Sequence, residues 1–354
     1  MKKIARVAPI ASVLFAGMIA AAQSTPSPAL LILSKTDHAL AIVDPATLQV
    51  VGKVPVGDDP HEVVASADGK TAYVSNYGFG RFHTITPVDL VAQKELTPIE
   101  LGALRGPHGL MFQDGKVWFT AEAAKCIGSF DPATEKIDWI MGIGQNRTHM
   151  IYVFPGARRI VTTNVNSGTV TILDKFDTPN GPPPMPPGAG MQGPPPGMPP
   201  GPILPPGGDW TLTSIAAGER NEGFDVTPDL KQAWTVSPVD GKVYMIDVES
   251  KKLVGTIDAG AERANRLKFT PDGKLALISA GPELVVVDVA AQKVIKRLAL
   301  GHGSGGVLIE PGGARAFVAC SPDNYVAVID LKTLAIVGRI EPGGNPDGMA
   351  WAAR

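Results

Sequence analysis

Half of the chain's six histidines fall into a regular series. His61 and His108 stand 47 residues apart, His149 follows after a further 41, and Glu222 continues the series 73 residues on. Imidazole and carboxylate are the donor types that hold zinc, copper or iron, and three protein ligands leave a position free for water or substrate. A second set runs with the first, because Arg147, Arg220 and Arg263 each lie two residues before a position whose occupants are His149, Glu222 and Asn265, with Arg266 and Arg105 close by. Guanidinium groups gathered at one place would form a site for carboxylate or phosphate, since arginine offers a bidentate fork to either. The plainer alternatives are that the histidines bond neighbouring carbonyls and that each arginine pairs with an acid of its own loop, such as Glu219, Glu222 or Glu262.

What would bring such distant residues together is a repeat. The series continues through Asn265, Gly305 and Asp347 at intervals of 43, 40 and 42 residues. Within each interval an Asp-Gly-Lys-type turn is followed by a short Val-, Ile- or aromatic-rich run such as Ala72–Asn76, then by runs ending in Asp, such as Ala41–Asp44, Tyr244–Asp247 and Val285–Asp288. Runs of this length and composition, bounded by Gly, Pro and Asp, read as strands joined by tight turns. Four strands in about 42 residues is the size of one propeller blade. Seven such units predict an all-β, seven-bladed propeller. Its first complete run, Leu30–Leu33, reads as the second strand of a unit and its last, Gly348–Trp351, as a first. The two chain ends would therefore close one shared blade and remove the free edges of an open ring.

In that ring the loop leading into the innermost strand and the loop between the second and third strands open on one face. Residues aligned across blades are thereby gathered at the mouth of a central channel. The expected metal ligands are His61, His108 and His149. Anion-binding residues would be Arg147, Arg220, Arg263, Arg266, Asn265 and Asp347, and Glu222 and Glu122 would move protons. Glu122, on a neighbouring loop beside His108 and His149, is expected to have its pKa raised by burial. Other polar residues of these loops, including Asp37, Asn76, Tyr77, Asn164, Asp240 and Asp323, are of types that commonly form turns or bond locally.

The segments Asp59-Pro60-His61, Pro107-His108-Gly109, Tyr73-Val74-Ser75-Asn76 and Pro271-Asp272-Gly273-Lys274, with the repeated Val-Ile-Asp strand ends, resemble the YVTN family of β-propeller repeats across nearly the whole chain after its leader. That resemblance implies the propeller fold and a range of activities: binding proteins, lactonases, lyases and subunits of redox enzymes. The lactonases of such propellers typically use acidic and amide ligands rather than three histidines, which sets this chain apart from them.

Composition narrows the classes. Thirty-two basic against 34 acidic residues exclude a protein held on nucleic acid by bulk charge. Two cysteines, Cys126 and Cys320, exclude a disulfide scaffold or iron–sulfur site. No dinucleotide fingerprint, P-loop or nucleophile elbow is present. Lys2, Lys3 and Arg6 precede an apolar run from Val7 to Ile19 and the small residues Ala20–Ala22, the pattern of a signal peptide over residues 1–22, with the domain spanning 23–354. A secreted or periplasmic protein with no membrane-spanning segment after signal removal is expected. Residues 179–208 carry 14 of the 33 prolines and read as an unstructured insertion in an outer turn, a spacer or a docking strip for a protein or envelope partner. The expectation for function is a binding or scaffold protein whose polar funnel takes a small anionic or metal-associated ligand. The alternative is a metal-dependent lactonase or lyase.

Overall fold

In a computed structural model of the chain, residues 24–177 and 208–354 are described. The expected signal peptide and, apart from Gly208, the expected proline-rich insertion lie outside the described residues. Seven antiparallel sheets form the expected ring, each meandering from an inner to an outer strand. Their innermost strands are Pro60–Ala65, Pro107–Gln113, Thr148–Val153, Phe224–Val226, Ala264–Phe269, Val307–Ile309 and Pro346–Ala352, and they define blades one to seven. The last of these pairs with Ala29–Ser34 in the register Leu30↔Trp351 and Leu31↔Ala350, so N- and C-terminal strands share blade seven as expected.

Burial follows position in the blade. Second and third strands are apolar on both faces and buried throughout, as in Ala29–Ser34 and Ala39–Val43. Outer strands alternate exposed and half-buried residues, as in Lys136–Gly142, because only one face meets a neighbour. One hydrophobic cluster fills each of the seven gaps between adjacent blades. Blade one departs from the pattern, its fourth strand broken into Lys94–Glu95 and Ile99–Glu100 around Thr97-Pro98, where proline has no N–H for the ladder.

The repeated aspartates prove to be turn formers. Asp272 accepts the Thr270 hydroxyl at 2.7 Å and the Lys274 N–H at 3.1 Å, and Asp68 and Asp229 do the same in their blades. The strand-ending Asp44, Asp288 and Asp330 each accept a backbone N–H of the following turn. Cys126 and Cys320 are buried and free. Among the described residues no helix is long and apolar enough to cross a membrane.

Candidate functional site at the channel mouth

His61, His108 and His149 lie near the start of the innermost strands of blades one, two and three, and each sits in a register shift. Pairing runs Pro60↔Asn76 and then Val63↔Val74, Pro107↔Ala121 and then Leu110↔Phe119, Thr148↔Asn164 and then Ile151↔Thr162. A bulge of one residue bends the strand and re-aims a side chain that a regular ladder would hold elsewhere. The backbone groups it frees are taken by a hydroxyl of the second strand. Thr120 Oγ1 accepts from Gly109 N at 2.9 Å and donates to His149 O of the next blade at 2.8 Å. Ser75 joins Glu62 N to His108 O, and Thr163 joins Met150 N to Glu222 O, in the same way. Close packing completes the arrangement, since a Cβ on Gly109 would lie 2.5 Å from His149 O.

The three imidazoles meet in a row, with ring centroids 4.8 Å apart between His61 and His108 and 3.7 Å between His108 and His149. Their surroundings differ. His149 is wholly buried between two carboxylates: Nδ1 bonds Glu122 Oε1, and Nε2 lies 2.9 Å from Glu222 Oε1 at an ion-pair distance without hydrogen-bond alignment. Burial acts against its charge, but Glu222 and Glu122 outweigh that and raise its pKa. His108, equally buried, has its pKa driven well below the ordinary value by burial and by the charges of His149, His61, Arg266 and Arg147. It is a neutral ring whose Nδ1 has no hydrogen-bond partner.

Glu122 is where the sequence placed it, but with the opposite titration. Burial does push its pKa up, as expected. The hydrogen bond and charge of His149, the Tyr77 hydroxyl at 2.5 Å and Arg147 at 3.5 Å more than offset that, and the net shift is downward. Glu222 is likewise held well below the carboxylate range, burial being outweighed by His149, Arg266 and Arg147. Both are therefore anions over the physiological range. The facing Tyr77 hydroxyl is raised by burial and by Glu122.

Donor atoms of His108, Glu122 and His149 all lie within 4.8 Å of one another, so these three buried residues could hold a metal ion. His61 stands beside this group, its ring turned to Lys35 Nζ at 2.9 Å and to Asp59 at 3.4 Å. Arg147 and Arg266 are occupied, and not by acids of their own loops. Arg147 reaches Glu122 and Glu222, while Arg266, buried, bonds Glu62 of blade one and lies 3.7 Å from Glu222. Arg220, Arg263, Asn265 and Asp347 instead line a cleft of about 590 Å³ that shares Glu222 and His61 with the row of rings. Arg105 is exposed. Glu62, Lys35 and Asp59 were not anticipated as members of the cluster. Glu62 carried a signal, since it directly follows an aligned histidine; Lys35 had none, because it lies outside the aligned position.

Fold and site together define a seven-bladed β-propeller with a buried His/Glu cluster at the start of its innermost strands. No family model and no curated protein matches the chain. Solved structures do match it. A functionally unknown protein from Desulfotomaculum acetoxidans superposes with a TM-score of 0.70 at 12% identity, over 92% of this chain and 99% of that one. Two proteins described as a "putative 6-phosphogluconolactonase" follow, from Bacteroides uniformis with a TM-score of 0.68 at 15% identity and from Bacteroides fragilis with 0.66 at 14%. They cover 92% and 93% of this chain and 99% of their own lengths. At these identities the likeness is one of fold.

Proposed function

We propose that the protein binds a divalent transition metal, zinc, copper or iron, at His108, His149 and Glu122, and a small anionic ligand beside it. The observation that carries this reading is His108: a buried neutral imidazole with an unpartnered Nδ1 next to two further donors. An unmet buried polar atom is costly, and a neutral ring nitrogen is the form that ligates metal. The charges agree. Among the described residues, Asp59, Glu62, Glu122, Glu222 and Asp347 have only Lys35, Arg147 and Arg266 as fixed cations within ion-pair distance, a local shortage that a dication in place of the His149 proton would offset. The signal-peptide pattern over residues 1–22 supports a location for this function in the periplasm or outside the cell.

A binding role fits best, because both glutamates are held ionised and neither is poised to donate a proton. Hydrolysis of a lactone is the second reading, favoured by the description of two structural neighbours. A bound dication supplies Lewis acidity and a water of lowered pKa at such a site. Glu222, open to the cleft, would accept a hydrogen bond from the incoming molecule, and Tyr77 would hold Glu122 in place. The test is metal content after separate loading with zinc, copper and iron(II). One ion per chain is expected, with affinity lowered at least tenfold in His108→Ala and retained in His61→Ala. Absence of stoichiometric metal from the wild type sinks the reading.

A further inference from the structure

We propose that the cleft beside the histidine row is the recognition site for a small polyhydroxylated anion, its carboxylate or phosphate held by Arg220 and Arg263 and its hydroxyls by Glu222, Asp347 and Asn265. This rests on the reading that the mouth takes an anionic ligand, but not on the metal.

Arginines of the mouth divide into two kinds. Arg147 and Arg266 are neutralised by carboxylates from other blades. Arg220 and Arg263 line the cleft, and among the described residues neither has a carboxylate oxygen within ion-pair distance. Their loops are alike and adjacent, belonging to blades four and five.

The rest of the lining selects what accompanies the charge. Glu222 and Asp347 offer acceptors, while Asn265 offers both donor and acceptor. Carboxylates below an anion-binding pair would repel a second charged group but accept bonds from hydroxyls. Apolar lining is confined to Pro238, Val239, Ala264 and Pro322, too little to hold an aliphatic chain. A volume of about 590 Å³ is that of a small-molecule site.

The experiment is calorimetric titration of the full chain in EDTA with gluconate, glucose 6-phosphate, glucose and hexanoate. At least one of the two hydroxylated anions should bind tenfold or more tightly than both glucose, which lacks charge, and hexanoate, which lacks hydroxyls. The tighter of the two identifies the head group. The double variant Arg220→Gln/Arg263→Gln should weaken that binding at least tenfold, while Arg158→Gln, on the opposite face and paired with Asp177, should leave it unchanged. Binding that survives the double variant, equal binding of glucose or hexanoate, or no binding of either hydroxylated anion overturns the proposal. Metal content of the double variant, measured alongside, should equal that of wild type. That readout separates failure here from failure of the metal reading.

Discussion

His108 and His149 are neighbouring rings in the same buried layer with opposite titration. Burial opposes charge on both rings; at His149 two bonded or ion-paired carboxylates outweigh it, whereas at His108 the charges of His149, His61, Arg266 and Arg147 add to it. Similar control governs Asp59. Burial opposes its ionisation, but contact with His61 and with Lys35 at 3.2 Å holds its pKa well below the ordinary carboxylate value. A depressed folded-state value contributes stability above the unfolded pKa of about 4, and the contribution is lost as pH falls through the folded value. Asp59→Asn is a clean probe because asparagine tolerates the left-handed backbone at this position. We expect it to cost about 1–2 kcal/mol at pH 7, with the difference from wild type shrinking below about pH 4. Urea unfolding at pH 7 and pH 3 measures both, and a loss of equal size at the two pH values would contradict the ion-pair account.

At the scale of the strand, the carbonyls of His108 and His149 are held by the preceding blade. A bulge aims each ring, and a hydroxyl on the second strand of one blade holds the carbonyl of the next blade's aligned residue. Thr120 is buried and serves both Gly109 N and His149 O. Thr120→Val keeps the shape and strands both backbone groups, so it should cost about 1–3 kcal/mol and weaken metal binding about tenfold. Comparison with Thr86→Val separates these effects, because Thr86 is also buried but bonds Asn76 and Gly57 rather than a histidine segment; it should lower stability and leave metal affinity in place. Alignment of repeats located His61, His108 and His149 in sequence. It gave no sign of the one-residue shifts, because a bulge adds no distinctive residue, and it could not separate His61 from the other two, because all three share the shift and only their side-chain partners differ.

As a whole, the ring is complete without the insertion. Phe176 already pairs with Asp209, and Gly208 has φ 88°. Deleting residues 178–207 would leave Asp177-Gly208 as a two-residue hairpin loop, a dipeptide suited to the left-handed turn that joins twisted strands. The shortened chain should fold with a melting temperature within about 4 °C of the parent, the shift that roughly 1 kcal/mol produces in a chain of this size, and with unchanged metal binding. A larger loss on thermal denaturation would show that the segment packs against the ring. The shortage of paired cations around the cluster is also a property of the ring, since Glu62, Glu122, Glu222 and Asp347 come from four different blades.

The repeat length, the strand pattern, the seven blades and the shared closing blade followed from sequence alone, because each blade is encoded locally by turn residues and runs of Val and Ile. The candidate residues were legible for the same reason: equivalent positions in a ring must converge. Partnership was decided by tertiary structure. Which arginine is neutralised, which histidine keeps a free nitrogen and which way Glu122 titrates depend on side chains up to 204 residues apart, as in Arg266 and Glu62. In a buried layer charge is set by the balance of desolvation against the few groups within bonding reach, and that balance exists only once the ring has closed.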